Sequence, residues 1–318
     1  MARIISLLLT IRFASRRLLT SWKVAVFMVE SRFVEVDGIK THYREAGEGP
    51  AILLLHGGEP SGGGGGSDTW PDEFLTSIAA GGYRAIAIDR LGQGETENPP
   101  RGEDLRISVS VKHSAAFIDA LGLRSIVVGG QSRGGFVTLR IAQERPDLVA
   151  KTIIINSASI SPRIPAEPTA GIGDLRYEVY EQQLNGDPRH DAEVMSVTTD
   201  HITDDWVQQR IDNAASPMRQ WTRRMFAEQR QRYYAEFETV KQDLFSWISS
   251  GGYSKPMIII WGVGDVTTTA EDSVELFRLF EPTVDNLRLY MINRSGHSPY
   301  REYPEETASQ IVAFLDRP

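Results

Sequence analysis

The sequence predicts an α/β fold: a mostly parallel central sheet flanked by helices, with a helical cap inserted between two sheet strands. Short apolar runs rich in β-branched residues alternate with longer helical patterns over the first half of the chain. Such alternation is typical of parallel strands joined by right-handed crossovers. It stops between residues 157 and 254, where only helical patterns occur, and strand-like sequence resumes at residue 257. Helices inserted at that point are expected to cover the strand ends.

The expected elements begin with a hairpin. Asp37-Gly38 is a two-residue turn signal between strand patterns at 33–36 and 40–43. The later expected elements are strands at 51–55, 84–89, 125–129, 151–156, 257–261 and 287–292, and helices at 70–80, 107–121, 136–142 and 304–316. They divide the chain into an N-terminal extension at 1–29, a core at 30–156 and 255–318, and a cap at 157–254.

The composition excludes several classes of protein. With 318 residues, 41% of them hydrophobic and 24% charged, the chain resembles an ordinary globular protein. Its formal net charge of −8 argues against nucleic acid as a partner. It contains no cysteine, which excludes disulfides, thiol catalysis and thiolate-bound metal ions and fits a reducing cytoplasm. We expect a cytoplasmic protein with no cofactor and no metal.

Residues 1–29 differ from the rest because they are basic and apolar, with no acidic residue before Glu30. Their apolar runs are shorter than the roughly 20 residues that span a bilayer. Three interpretations stay open: a docked helix or an extension upstream of a start at Met28, a helix on a membrane surface, and an organelle-targeting peptide. The basic residues of this segment are Arg3, Arg12, Arg16, Arg17 and Lys23.

The most informative motif is Gly130-Gln131-Ser132-Arg133-Gly134, a G-x-S-x-G pentapeptide between a predicted strand and a predicted helix. Glycines on both sides allow a tight strand-to-helix turn, which holds a serine hydroxyl exposed at the carboxyl edge of a sheet. The sequence therefore predicts Ser132 as a nucleophile.

A serine nucleophile needs a neighbouring base, and the base needs an acid that orients it. His297 lies just past the last predicted strand, and Asp265 follows the strand before it. We therefore predict His297 as the base and Asp265 as the acid. The position after an earlier strand holds Asn156, which cannot serve as a carboxylate. Asp89, which also ends a strand, is predicted to be a turn or capping residue.

Acyl-transfer chemistry also needs N–H donors for the developing oxyanion. The backbone N–H of Arg133 directly follows the nucleophile at the start of a helix, and the loop His56-Gly57-Gly58 follows a predicted strand. Gly58 is expected to supply the second donor, and Gly57 is expected to line the substrate site. The glycine run at 62–66 is interpreted as a loop near the same site.

Together these motifs resemble the α/β-hydrolase superfamily over about residues 32–318. The resemblance rests on the nucleophile motif, on the order serine, aspartate, histidine, on the loop at 56–58, and on Asp89-Arg90-Leu91-Gly92-Gln93-Gly94. Within the superfamily the chain is most similar to the meta-cleavage-product hydrolases, which cleave a carbon–carbon bond in 2-hydroxy-6-oxo-dienoates. This resemblance implies an α/β-hydrolase fold, a serine mechanism without a cofactor, and an anionic dienoate as substrate.

The resemblance also implies substrate-binding residues. Residues 202–210 look like the cap segment whose arginine binds the substrate carboxylate in that group, so Arg210 is the expected anion partner. A solvated helix charge is the alternative for Arg210. Gln131 is a second expected substrate contact.

Four positions depart from the pattern of that group. Gln131 stands where asparagine is usual, Glu59 where glycine is usual, Arg133 where an apolar residue is usual, and Ser298 where tryptophan is often found. Arg133 is expected to bind an anionic product or to pair with Glu59, and a plain surface salt bridge is the alternative.

The leading functional hypothesis is C–C hydrolysis of a small dienoate by the serine triad. A carboxylesterase or lactonase with the same triad is the alternative, because both reactions need the same nucleophile and oxyanion donors. A non-enzymatic receptor is disfavoured by the complete triad, and epoxide hydrolases and haloalkane dehalogenases are disfavoured because they need a carboxylate nucleophile. The expected partner is an anionic dienoate or an ester, while membrane-surface contact through residues 1–29 and a homodimer stay open.

Overall fold

The structure is a computed structural model that describes residues 27–316, except Gly62, Gly64 and 163–182. Eight strands in these ranges form one sheet: β1 (Glu30–Val36), β2 (Ile39–Ala46), β3 (Ala51–Leu55), β4 (Arg84–Ile88), β5 (Ile126–Gln131), β6 (Val149–Ile155), β7 (Met257–Gly262) and β8 (Leu287–Ile292). Their order across the sheet is β1-β2-β4-β3-β5-β6-β7-β8. β2 runs antiparallel to both β1 and β4, and all the other neighbours pair in parallel.

Helices connect these strands and cover both faces of the sheet. They are α1 (Asp72–Ala80), α2 (Ile107–Ala120), α3 (Arg133–Glu144), α4 (Pro188–Val194), α5 (Asp204–Ala215), α6 (Pro217–Ser249), α7 (Ala270–Phe280), α8 (Pro299–Glu302) and α9 (Pro304–Leu315). One apolar cluster joins one face of the sheet to α2, α3, α6 and α7, and a second joins the other face to α1 and α9. β3, β5 and β7 are buried along their whole length, as expected for parallel strands between two helical layers.

This architecture confirms the predicted α/β fold with a mostly parallel sheet. The predicted hairpin joins β1 to β2, and its turn residues Asp37 and Gly38 both have positive φ, 50° and 79°. Two successive residues of positive φ are what a type I′ hairpin turn requires. The sequence reasoning did not predict α7, although Thr269 and Asp272 form a capping box at its start.

Between β6 and β7 the described residues contain helices and no strand. We call residues 183–254 the cap; it contains α4, α5 and α6. Hydroxyl side chains cap the N-termini of the last two of these helices. Thr203 accepts a hydrogen bond from the N–H of Trp206, and Ser216 accepts one from the N–H of Arg219. The 33-residue α6 packs onto the core through five buried side chains: Phe226, Tyr233, Phe237, Leu244 and Ile248.

The predicted N-terminal extension lies largely outside the described residues, since only 27–29 of it precede β1. Its role and the start at Met28 therefore stay predictions. Within the described ranges, no helix combines the length and the apolar character needed to cross a bilayer, the long α6 included.

Candidate active site

Ser132 occupies a strained turn between β5 and α3. Its φ of 52° and ψ of −123° lie outside the conformations that a residue with a side chain ordinarily adopts. The flanking glycines allow this turn: a Cβ on Gly130 would collide with the backbone of Gly134, and a Cβ on Gly134 would collide with the carbonyl oxygen of Leu55. The turn places Ser132 in the wall of a cavity of about 1000 Å³ at the carboxyl edge of the sheet.

His297 lines the same cavity and is hydrogen-bonded to Asp265. Asp265 lies just after β7 and is 1% exposed, and its Oδ2 is 2.8 Å from Nδ1 of His297. Because a carboxylate can only accept, Nδ1 carries the hydrogen, and Nε2 of the neutral ring is left as an acceptor. The structure thus brings the predicted nucleophile, base and acid to one edge of the sheet.

Asn156 and Thr267 hold the carboxylate of Asp265. The amide of Asn156 donates to Oδ2 at 2.7 Å, and both the N–H and the hydroxyl of Thr267 donate to Oδ1 at 2.8 Å. Asn156 also accepts the N–H of Gly262 at 2.9 Å, which ties the end of β6 to the end of β7. Sequence reasoning excluded Asn156 as an acid but missed this positioning role. A polar residue directly after a buried strand was the available signal.

The loop that carries His297 is fixed from the core and from the cap. Nε2 of Gln131 donates to the carbonyl of His297 at 3.1 Å, and the N–H of His297 donates to the carbonyl of Met195 at 2.9 Å. Glu302 accepts the N–H of Gly296 at 2.6 Å through one carboxylate oxygen, while its other oxygen binds the cap backbone at residues 197 and 198. Gln131, predicted to bind substrate, lines the cavity and uses its amide nitrogen on the base loop.

The predicted oxyanion loop is held by two donors on one carbonyl. Nδ1 of His56 donates to the carbonyl of Gly57 at 2.8 Å, and the guanidinium of Arg90 donates to the same oxygen at 3.0 Å and to the carbonyl of Gly58. Burial, and secondarily the charge of Arg90, lowers the pKa of His56 to about 3, so the ring stays neutral. A Cβ on Gly57 would collide with Gln131 and Ser132, so this peptide lies directly against the nucleophile.

Arg133 pairs with Glu59, as one of the two sequence expectations proposed. Nη2 of Arg133 is 2.6 Å from Oε1 of Glu59, and the guanidinium carbon lies 3.8 Å from the centre of the Phe237 ring. Its Nε and Nη1 are buried and have no hydrogen-bond partner among the described residues. The pair lines the cavity beside Ser132, and the arginine side chain is only 11% exposed. The alternative expectation of a surface salt bridge is therefore wrong.

Arg210 reaches the same cavity from α5, where it forms an ion pair. Its Nε is 3.0 Å from Oδ2 of Asp68, and both side chains are mostly buried. The alternative of a solvated helix charge is therefore wrong. Arg301, which the sequence reasoning did not single out, lies beside it: the guanidinium carbons of Arg210 and Arg301 are 4.6 Å and 3.9 Å from the ring centre of Trp206.

Asp89 shows the structural role that the sequence suggested. It is 1% exposed and accepts hydrogen bonds from the backbone N–H groups of Ser67 and Glu95 and from Nδ1 of His42, 2.7 Å away. It therefore ties β2, the glycine-rich loop and the turn after β4 together. Within the described ranges, no group of three or more histidine, aspartate or glutamate side chains is arranged to hold a metal ion.

Two curated hydrolases are similar to this chain over most of its length. A 2-hydroxy-6-oxononadienedioate/2-hydroxy-6-oxononatrienedioate hydrolase of Paraburkholderia xenovorans is 25% identical over 293 residues, which cover 90% of this chain and 95% of that one. A 2-hydroxy-6-oxo-6-(2'-aminophenyl)hexa-2,4-dienoic acid hydrolase of Metapseudomonas resinovorans is 28% identical over 292 residues, 90% of this chain and 91% of that one.

A solved structure and a family model extend the comparison. The meta-cleavage product hydrolase from Pseudomonas fluorescens has a TM-score of 0.70 to this chain at 21% identity, covering 90% of this chain and 97% of that one, and shows the same fold. Residues 52–310 match the family described as the alpha/beta hydrolase family. Since this match spans most of the sequence, the chain belongs to the alpha/beta hydrolase family.

Proposed function

We propose that this protein hydrolyses a carbon–carbon bond in 2-hydroxy-6-oxo-dienoates, with Ser132, His297 and Asp265 as its catalytic triad. One observation carries the proposal: a single cavity contains the strained serine, the aspartate-bound histidine and a buried cationic wall that includes Arg210. The cation suits the carboxylate of a dienoate. The names of the two curated relatives support the same substrate class.

The proposed reaction uses the chain's own side chains. The dienol substrate is first ketonised, and Ser132 then attacks the distant carbonyl while its proton passes to Nε2 of His297. The N–H groups of Gly58 and Arg133 hold the oxyanion. The C–C bond breaks, the leaving carbanion takes the proton from His297, and a water activated by His297 releases the acyl group from Ser132.

Asp265 has the supporting role in this scheme. Its hydrogen bond to Nδ1 fixes the tautomer in which Nε2 can accept the serine proton, and its charge stabilises the imidazolium that forms. The scheme needs no cofactor, because the conjugated keto acid of the substrate itself stabilises the carbanion. A membrane-surface contact of residues 1–29 and a homodimer stay predictions.

An esterase or lactonase reaction is the alternative outcome, and one experiment separates it. Purified protein is assayed side by side with a 2-hydroxy-6-oxo-dienoate ring-cleavage product and with p-nitrophenyl acetate, and the two kcat/KM values are compared. We expect the dienoate to be preferred, with Arg210→Ala lowering that preference. Ser132→Ala should lower kcat on both substrates by about 10⁴-fold or more. A preference for the ester that Arg210→Ala leaves unchanged would favour the alternative, and full activity of Ser132→Ala would overturn both.

A further inference from the structure

Three side chains in the cavity wall form a cation–aromatic cluster. Trp206 and Arg210 lie on α5, and Arg301 lies on α8, four residues beyond His297. Both guanidinium carbons are within 5 Å of the Trp206 ring centre, 4.6 Å for Arg210 and 3.9 Å for Arg301. The aromatic ring attracts each cation, while the charge of Arg210 disfavours the charge of Arg301.

The charges of this cluster do not balance. Asp68 is the one carboxylate paired with either guanidinium among the described residues, and it lies 3.0 Å from Arg210. Arg301 donates only to a neutral acceptor there, the carbonyl of His201 at 3.2 Å. Among the described residues, two mostly buried cations thus have one paired carboxylate between them, so this part of the cavity wall carries a surplus positive charge.

That surplus is energetically costly in the empty site. Arg301 is 9% exposed, and burial followed by the charge of Arg210 lowers its pKa to about 10. It therefore stays charged at neutral pH although its surroundings disfavour the charge. A buried charge is ordinarily paired, and a counter-ion from outside the chain would supply the missing partner.

We propose that Arg301 is a second residue of the subsite for the substrate carboxylate, beside the Arg210 of the proposed function, with Trp206 as the ring that contacts both guanidinium groups. The identity of the anion as an unsaturated carboxylate rests on the proposed function. Both arginines line the cavity that contains Ser132, so a ligand held by them lies in reach of the nucleophile. Two guanidinium groups can donate to the two oxygens of one carboxylate, which a single arginine already paired to Asp68 does less well.

The competing role for Arg301 is structural. Its hydrogen bond to the carbonyl of His201 joins α8 to the cap, and this contact alone could explain a buried arginine. The two roles differ in what they predict: a structural contact affects every ligand of the cavity equally, whereas a charge site discriminates an acid from its amide.

A binding experiment without turnover decides between them. Ser132→Ala protein is titrated by calorimetry with sorbate, a hexa-2,4-dienoate, and with sorbamide, its neutral amide. Arg301→Gln should raise the Kd for sorbate by about 10- to 100-fold, since a hydrogen bond to a charged group is lost, and should change the Kd for sorbamide by less than about threefold. Arg210→Gln should act in the same way. Arg301→Lys should give an intermediate loss of affinity for sorbate, because lysine keeps the charge but lacks the planar guanidinium that can donate two parallel hydrogen bonds.

Arg232→Gln is the matched control, since Arg232 is an exposed arginine of α6 away from the cavity, and it should leave both affinities unchanged. An equal loss for acid and amide in Arg301→Gln, or in Arg301→Lys if the glutamine variant does not fold, would show a structural role and overturn the proposal. So would undetectable binding of sorbate to the parent protein. Because this experiment measures binding and no turnover, it tests the carboxylate subsite separately from dienoate hydrolysis. Either proposal can be confirmed while the other is overturned.

Discussion

The cavity has two walls that differ in how their charges are satisfied. At the sheet edge, the chain supplies the partners: Asp265 accepts hydrogen bonds from Asn156, Thr267 and His297, and the carbonyl of Gly57 accepts from both His56 and Arg90. At the other wall, Arg210 pairs with Asp68, whereas the described residues offer Arg301 only the carbonyl of His201. The proposed reacting groups are thus held by internal hydrogen bonds in the free protein, whereas the proposed binding groups have fewer partners among the described residues.

This difference follows from what each wall is proposed to do. Stabilising a transition state requires dipoles that are already oriented, because reorganising them during the reaction would raise the barrier. Binding a carboxylate benefits instead from donors that lack a partner in the free protein, since no internal contact then has to be broken. Substitutions at the first wall should therefore change kcat, and substitutions at the second should change ligand affinity.

The largest effect is expected for Asp265→Asn. The amide keeps the shape of the side chain but disturbs the tautomer of His297, so kcat should fall by about 10⁴-fold. The affinity of Ser132→Ala protein for sorbate should not change when Asp265→Asn is added. Asp285→Asn, at an exposed aspartate, serves as the control. Steady-state kinetics and calorimetry test both points, and a loss of affinity without a loss of kcat would remove the distinction between the walls.

Arg90→Met should have the next largest effect. The carbonyl of Gly57 and the N–H of Gly58 belong to the same peptide unit, so the guanidinium of Arg90 on that oxygen polarises the proposed oxyanion donor. Removing it should lower kcat by about 10²-fold, in the range of losing one oxyanion donor, with a smaller change in KM. Arg90→Lys should recover part of the rate. A rise in KM at constant kcat, with the fold intact by circular dichroism, would show that Arg90 only shapes the cavity.

The two walls also differ in how far the sequence predicted them. Ser132, Asp265 and His297 follow strands or a sharp turn, and parallel strands bring their carboxyl ends to one edge, so local pattern was sufficient to place them together. The partners that hold these residues were less visible. Asn156 was considered only as a possible acid. Its contact with Asp265 was not predicted, because the two residues are more than one hundred positions apart in the sequence.

The cation cluster could not be derived from local pattern at all. Arg301 lies on a four-residue helix after the base, while Trp206 and Arg210 lie on α5 in the cap. Their proximity depends on how the cap sits on the core, through contacts such as the N–H of His297 with the carbonyl of Met195. Arg210 was singled out only through the resemblance of residues 202–210, and nothing in the spacing of arginines along the chain distinguishes Arg301 from the exposed ones. Similarly, Arg133 was ambiguous until its pairing with Glu59 was seen.

A smaller effect, of opposite sign, is expected for Asp68→Asn. Removing this carboxylate leaves Arg210 without its ion-pair partner and increases the surplus positive charge of the cluster. If the wall binds an anion, the Kd of Ser132→Ala protein for sorbate should fall by about three- to tenfold, while the Kd for sorbamide stays unchanged. Weaker binding of both ligands in calorimetry would mean that Asp68 is needed to hold Arg210 in place, and that the cluster is a structural network.

The smallest effect is expected in the pH dependence of stability, at His201. Burial, and secondarily the charge of Arg301, lowers the pKa of His201 to about 4, whereas the unfolded chain takes up the proton near pH 6.5. The free energy of unfolding should therefore fall as the pH drops below 6.5, and it should continue to fall until about pH 4. His201→Asn removes this contribution, so between pH 7 and pH 5.5 the variant should lose about 1 kcal/mol less stability than the native protein in urea unfolding. His56 and His113 are present in both proteins, so their contributions to the pH dependence of stability cancel in the comparison. If the two proteins lose the same stability over this range, the pKa of His201 is not lowered in the folded protein, and neither burial nor Arg301 disfavours its protonation.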